Sequence, residues 1–276
     1  MVTTLPWVST RARTYDAQVL RREPISEHLV RLVLGGPGLA GFASTGVLDE
    51  WVGLVVPGQF QSRYYTVRSV DGAELTLDVV VHDVGLVTEW ARRDGVGEVV
   101  GETVTITEPK GSFSLPADAA WLRLVGDLTA LPAMARITEE LRGRVPVHIW
   151  AEVPEIPADY LAPGDGVEIT WLPQPGDGAS ALAAAVEELS WPAEPGYFWM
   201  AGESAQMRAI RKHLMREVKL PSEAYDVMGY WRGTPGRQPR AVDPAPIWRA
   251  GKAAGKSDEE IWADYDRARE EADADV

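Results

Sequence analysis

Within seven residues, Ser62-Arg63-Tyr64-Tyr65-Thr66-Val67-Arg68, the chain gathers two guanidiniums, two phenol rings and a hydroxyl, shortly after the turn signal Pro57-Gly58. In an extended strand alternate side chains share a face, so Arg63, Tyr65 and Val67 point one way and Tyr64, Thr66 and Arg68 the other. An arginine fork matches phosphate oxygens. A phenol ring can lie along a flat heterocycle, and a hydroxyl can bond to its edge. Those are the requirements for holding a flavin nucleotide. The plainer reading is an edge strand with solvated arginines and half-buried tyrosines.

Further along, Gly126-Asp127-Leu128-Thr129-Ala130-Leu131-Pro132 ends one apolar run and opens another. At the C-terminal end of a parallel strand, such a turn offers free amides and a positive helix end to a phosphate. Gly126 permits close approach, Thr129 can cap or donate, and Pro132 suits a first helical turn. Ala201-Gly202-Glu203-Ser204 repeats the arrangement, and a nicotinamide could lie there against a flavin. An ordinary turn capped by Glu203 or Ser204 reads equally well. Neither stretch is the GxGxxG fingerprint. The segment from His82 through Gly85 and Thr88 to Trp90 leaves a strand and enters a short helix, where Gly85 and the following amides could hold a pyrophosphate. His82 by itself is more often structural than functional. Lys110-Gly111-Ser112-Phe113 is either a barrel closure beside a cofactor or a solvated turn.

The elements that must position these residues divide into two kinds. Runs at 15–20, 28–34, 60–70, 74–82 and 102–107 are short, alternate in hydrophobicity and carry turn signals such as Asp71-Gly72, which predicts an antiparallel barrel. A short helix is expected over 87–93. From about Trp121 strands and helices alternate: strands at 121–125, 145–153, 167–172, 196–201 and 225–231, and helices at 132–141, 180–189 and 204–218. That alternation predicts a parallel sheet of nucleotide-binding topology. The expected division is a barrel over 1–118, an α/β domain over 119–233, and a linker with a C-terminal helix over 234–276. The linker is read at 234–246, and the last helix is read from Ser257, with Glu260 completing a capping box.

Composition narrows the chemistry. The chain has 276 residues, is 45% hydrophobic and contains no cysteine, which excludes disulfides, thiolate zinc and iron–sulfur clusters held by this chain. The four histidines show no metal-ligand spacing, so any redox chemistry is expected from an organic cofactor and no metal site is expected. A net charge of −14 argues against nucleic acid and anionic membrane surfaces, and requires a local basic pocket for any anionic ligand. No apolar run reaches the ~18 residues of a membrane span. Residues 1–13 lack a signal-peptide core, so a cytoplasmic protein is expected, working as a monomer.

In order, Arg63-Tyr64-Tyr65-Thr66, His82 to Ala91, Pro109 to Phe113, Gly126 to Pro132, Ala201-Gly202-Glu203 and Gly229-Tyr230-Trp231-Arg232 resemble the siderophore-interacting protein family, flavin-dependent ferric-siderophore reductases of the ferredoxin-reductase-like superfamily. The resemblance covers roughly residues 12–235. It implies an FAD-binding barrel followed by an NAD(P)H-binding α/β domain. Arg63 would then hold the flavin phosphates, with Tyr64 beside it. Tyr65 would pack on the isoalloxazine, and Thr66 would bond near its reactive nitrogen; these two are the implied catalytic pair. The loop from His82 through Gly85 to Thr88 would hold the pyrophosphate and adenosine side, with Gly111 and Ser112 flanking the cofactor. Gly126, Asp127, Thr129, Ala130, Gly202 and Glu203 would meet the pyridine nucleotide. Leu128 stands where the family usually has an acidic residue, and Gly85-Leu86 where it often has Gly-Pro.

The implied reaction passes electrons from NADPH or NADH through FAD to a ferric siderophore and frees iron as Fe(II). Lys110 and Arg232, joined by Arg68 or Arg240, are candidates for a basic rim that receives the chelate, against the reading that all four are scattered solvated charges. Glu152 ends the strand at 145–153, where a carboxylate favours a ribose hydroxyl over a 2′-phosphate. Many family members are NADPH-dependent, so the donor stays open. Two other readings remain: a general NAD(P)H-dependent flavin or ferredoxin-type oxidoreductase, and a siderophore-binding flavoprotein reduced by a separate donor.

Overall fold

The computed structural model describes residues 13–81, 85–93, 99–175, 180–232, 244–256 and 264. Six strands, β1 (Thr14–Ser26), β2 (Leu29–Gly35), β3 (Trp51–Val55), β4 (Arg63–Asp71), β5 (Glu74–Val80) and β6 (Thr103–Thr107), close into an antiparallel barrel in the order β1-β2-β5-β4-β3-β6. Alternation does the local work. Tyr15, Ala17 and Val19 of β1, Leu75, Leu77 and Val79 of β5, and Val104 and Ile106 of β6 all point into one buried cluster. A fully buried leucine such as Leu77 contributes roughly 2 kcal/mol.

Two strand readings need correction. The first strand runs on through Pro24, which pairs with Val30 beside a register shift, a place where a missing backbone donor is tolerated. The sequence reading omits β3 altogether. Its five residues surround Gly53 and follow Asp49-Glu50, which look like a solvated loop. In the folded chain both acids are fully buried. Gly53 is required because a Cβ there would come within 3.0 Å of Ser62 and Thr107.

A short helix, α1 (Leu86–Arg92), packs on the barrel. Its Trp90 indole donates to Glu102 at 2.6 Å, and Arg22 donates to the carbonyl of Ala91 at 2.7 Å, closing the helix C-terminus.

Beyond the barrel, β7 (Leu122–Asp127), α2 (Leu131–Leu141), β8 (Val147–Val153), β9 (Val167–Pro173), α3 (Leu182–Glu187), β10 (Tyr197–Glu203), α4 (Ser204–His213) and β11 (Tyr225–Trp231) build an all-parallel sheet in the order β11-β10-β7-β8-β9. Strand order reverses between β7 and β10, the switch point of a doubly wound sheet. β10 is buried at every position, as expected of a central parallel strand covered on both faces. α2 is buried nearly all round because the sheet lies on one side of it and β4 on the other.

By compactness the chain forms two units. One holds the barrel and the sheet; the other holds residues 58–61 and the chain from Gly233. In the second unit, α5 (Pro244–Ala253) begins inside the span read as linker. It ends in a Schellman motif, with Gly255 at φ 72° and its amide bonded to the carbonyl of Lys252, and Lys256 bonded to that of Gly251. The helix expected from Ser257 lies outside the described residues except for Asp264, which pairs with Lys256 at 2.5 Å.

Three buried barrel carboxylates join the barrel to the sheet. Asp49 accepts from the amides of Ser112 (2.8 Å) and Phe113 (2.9 Å), the Ser112 hydroxyl (3.1 Å) and the Trp199 indole of β10 (3.2 Å). Glu50 accepts from Ser44, from Thr45 and, at 3.4 Å, from Arg136 of α2, which also donates to the carbonyl of Val67 at 2.7 Å. Asp78 accepts both arms of the Arg31 fork at 2.8 Å and the Tyr160 hydroxyl at 2.5 Å. Asp49→Ala is expected to lower the unfolding free energy by about 3 kcal/mol or more, because four donors lose their acceptor at once. Asp49→Asn, which keeps an acceptor oxygen, should cost less than half of that. Urea denaturation of the two variants checks the order; equal losses would mean that the site requires the full carboxylate and that one acceptor oxygen in the same shape does not serve.

Candidate functional site

β4 carries the segment singled out in the sequence. Arg63 and Tyr64 are exposed at its start, Tyr65 is half-buried against the barrel core, and Thr66 is buried on the opposite face. Burial pushes the Tyr65 phenol up to about 12, against the opposing pull of the Arg63 guanidinium, so it stays protonated at any working pH. A register irregularity between Val67 and Ser69 turns Arg68 toward the sheet. There Arg68 pairs with Glu139 of α2, lies 3.8 Å from Asp78, and sits over the Tyr160 ring. Arg68 is therefore a strut between barrel and sheet and not part of a basic rim. Arg240 and His82 lie outside the described residues.

Gly85 starts α1 at φ 135°, where an added Cβ would meet the Thr88 hydroxyl at 3.9 Å, and no side-chain hydrogen bond closes the cap. Glycine adopts that conformation without strain, and the first-turn amides of the helix face outward from it. Thr88, one turn in, is buried. Lys110 closes the barrel through its backbone, exchanging hydrogen bonds with Trp51 at 2.7 and 2.9 Å, while its side chain is exposed. Gly111 is required by packing, since a Cβ would come within 2.6 Å of Val47. Ser112 is committed to Asp49, as described above.

At the switch point, Asp127 and Glu203 end β7 and β10. The Asp127 carboxylate caps the turn that follows, accepting from the Thr129 amide (2.9 Å) and hydroxyl (2.5 Å), and takes the Trp231 indole at 2.6 Å. Burial holds its carboxyl above the usual range, although the bonds from Thr129 and Trp231 pull the other way. Gly202 makes that bridge possible, because a Cβ there would lie 2.6 Å from the Asp127 carboxylate. Glu203 likewise caps α4, accepting from the amides of Ala205 (2.6 Å) and Gln206 (3.0 Å). The glycine freedom at Gly126 is used internally, since a Cβ would meet Ala130 at 2.5 Å and the Ala201 carbonyl at 2.6 Å. Ala130 is fully buried and offers no side chain to a ligand. Glu152 is buried and accepts from the Ala181 amide at 2.7 Å. Arg232, just past β11, is exposed.

Sequence reading missed two features. The buried acids Asp49 and Glu50 were missed because the donors that reach them from the sheet, Trp199 and Arg136, lie 150 and 86 residues away. The turn at Glu27-His28 and the loop at Glu155 bring two carboxylates and an imidazole within 4.8 Å of one another, a proximity created by folding.

The donor set suits a flavin nucleotide. It offers a guanidinium for phosphate, a protonated phenol for a ring face, an uncapped glycine turn, and a buried hydroxyl pair at Thr66 and Tyr230, where the Tyr230 oxygen closes no hydrogen bond among the described residues. No helix among the described residues is long and apolar enough to cross a membrane.

Comparison with known proteins gives two family matches in chain order: residues 58–113 match the siderophore-interacting FAD-binding domain, and residues 119–234 match the siderophore-interacting protein model. The chain is 29% identical over 269 residues to the NADPH-dependent ferric-chelate reductase of Escherichia coli, covering 86% of this chain and 94% of that protein. It is 28% identical over 240 residues to the ferric vibriobactin reductase ViuB of Vibrio cholerae, covering 77% and 87%. Among solved structures, a siderophore utilization protein from T. fusca superposes with a TM-score of 0.68 at 28% identity, covering 84% of this chain and 95% of that one. With the barrel-then-sheet topology and both halves matched in order, this chain belongs to the siderophore-interacting protein family.

Proposed function

We propose that the chain is an FAD-dependent NAD(P)H oxidoreductase that reduces ferric siderophores and releases iron as Fe(II), working in the cytoplasm as a monomer. The observation that carries this reading is the disposition of β4, with Arg63 exposed, Tyr65 half-buried and protonated, and Thr66 buried where barrel meets sheet. The names of two curated relatives, a ferric-chelate reductase and a ferric vibriobactin reductase, support the substrate class.

A bound flavin supplies the conversion between a two-electron hydride donor and a one-electron ferric acceptor. The chain's part is placement. Arg63 holds phosphate charge with Tyr64 beside it, and Gly85, Thr88 and the amides of α1 receive the pyrophosphate side. Tyr65 supports the ring, and Thr66 bonds to its edge. Gly111 and Ser112 tie the barrel mouth to Asp49. At the switch point, Gly126, Thr129, Ala130 and Gly202 shape the floor on which a nicotinamide lies. Asp127 and Glu203 contribute by holding the turn ahead of α2 and the start of α4. Lys110 and Arg232 are exposed cations in an acidic protein and would receive an anionic chelate. No general base is required.

One observation favours a second reading, a siderophore-binding flavoprotein reduced by a separate donor. Carboxyl groups already cap the start of α4 (Glu203) and the short turn that leads into α2 (Asp127), and negative charge there repels a dinucleotide's phosphates. An anaerobic spectrum separates the two. In the FAD-loaded protein, flavin bands that bleach with NADPH or NADH and return on adding a ferric siderophore are the expected result. Bands that resist both nucleotides would transfer the case to the separate donor, and equal turnover with any ferric chelate or dye would remove the siderophore from the reading.

Two substitutions test the residues. Arg63→Ala is expected to raise the FAD Kd about 10- to 100-fold by removing charge-assisted phosphate bonds, with little change in Tm because the side chain is exposed. Reversing both charges, Lys110→Glu with Arg232→Glu, should raise KM for an anionic ferric siderophore roughly tenfold at low salt, and less as salt rises. An unchanged KM would leave the two cations as solvated surface.

A further inference from the structure

Tyr230 belongs to the Gly229-Tyr230-Trp231-Arg232 motif, but neither the motif nor its spacing gives it a role. It lies on β11 where the register with β10 slips: Gly202 pairs with Gly229, Glu203 pairs with Trp231, and Tyr230 is the extra residue between. Such an irregularity re-aims a side chain. It is a built feature here. Ser204 donates to the carbonyl of Trp231 at 2.7 Å, and Gly229 makes room for Ser204, whose hydroxyl would lie 2.6 Å from any Cβ at that position. The result directs the Tyr230 ring onto the apolar face shared by the sheet and the barrel, in the same cluster as Phe113, Tyr197 and Trp199.

The phenol ends against Thr66 of β4 without closing a well-formed hydrogen bond, although its oxygen is buried. Burial raises its pKa far above the usual phenol value, and the charges of Asp49, Asp226 and Asp127 act in the same direction. A phenol so placed stays protonated and has one proton to give. Thr66 carries one proton and two lone pairs. When Thr66 accepts from Tyr230, its own proton must point elsewhere, and Tyr64, which shares the Thr66 face of β4, is exposed. A free threonine hydroxyl rotates among three staggered positions, so a fixed donor beside it selects one of them.

We infer that Tyr230 is a positioning residue: its buried phenol, aimed by the β11 irregularity, orients the Thr66 hydroxyl toward the flavin edge. The inference rests on the flavin reading above and adds a residue of the sheet domain to a site otherwise held by the barrel. Sheet and barrel thereby both set the hydrogen bond on which the cofactor's electronics depend.

The test is a double-mutant cycle with Tyr230→Phe, Thr66→Val and the pair. Its readouts are the FAD Kd from fluorescence quenching, the flavin midpoint potential, and the Tm of the FAD-free forms. Tyr230→Phe is expected to leave Tm unchanged or raise it, since the hydroxyl it removes has no complete partner. It should weaken FAD binding about three- to tenfold and shift the potential in the same direction as Thr66→Val. In the Thr66→Val background the same change should do nothing further. Effects that multiply across the two sites, or a Tyr230→Phe protein with wild-type Kd and potential, overturn the inference while leaving the flavin reading intact. Wild-type protein that binds no FAD overturns the flavin reading itself, and this inference with it.

Discussion

Three buried carboxylates hold this molecule in its working shape. Asp49, Glu50 and Asp78 belong to the barrel and are almost completely removed from solvent. A buried charge is tolerated only when it is paired and fully hydrogen-bonded, and leaving one unpaired is costly. Each draws at least one donor from the sheet domain: Trp199 for Asp49, Arg136 for Glu50 and Tyr160 for Asp78. Separating barrel from sheet would leave all three without part of their donor set. The geometry at the seam is therefore fixed by electrostatic necessity, while apolar packing supplies the bulk of the stability.

That constraint determines what β4 can do. Its carbonyl at Val67 is held by Arg136, its Arg68 is drawn to Glu139, and its Thr66 is left facing Tyr230. The free end of the strand, with Arg63 and Tyr64, stays at the surface. One strand thus presents a fixed interior, a seam and an open end in sequence, and a flavin nucleotide asks for those three environments for its ring face, ring edge and phosphates.

The switch point is arranged differently from a phosphate-binding turn. Asp127 and Glu203 satisfy the helix amides with their own carboxylates, and Trp231 reaches over Gly202 to complete the Asp127 set. Glycine here serves internal approach of one side chain over another strand. The crevice is acidic and pre-satisfied, which bears on how a dinucleotide can enter it.

The sequence by itself determined the two fold classes and their order. Period-two burial and tight-turn dipeptides mark the barrel, and alternating apolar runs mark the parallel sheet; these are local signals that survive without partners. It also held the ordered motifs that carry the family resemblance, and strand alternation gave the faces of Arg63, Tyr65 and Thr66, while their roles came from the resemblance. Only the tertiary structure decided which polar residues are partners. Asp49-Glu50 carries no motif in the sequence and becomes a buried anchor, and the neighbouring β3 escapes notice with it. Arg68 reads as a surface cation and becomes a strut. Asp127 and Glu203 read as ligand-facing and are spent on helix starts. For Asp49, Glu50 and Arg68 the deciding partners lie scores of residues away, as does the Trp231 indole on Asp127, whereas the amides capped by Asp127 and Glu203 are local; the free energy of a charge depends on its desolvation and its donors, and the distant donors are not encoded in its near neighbours.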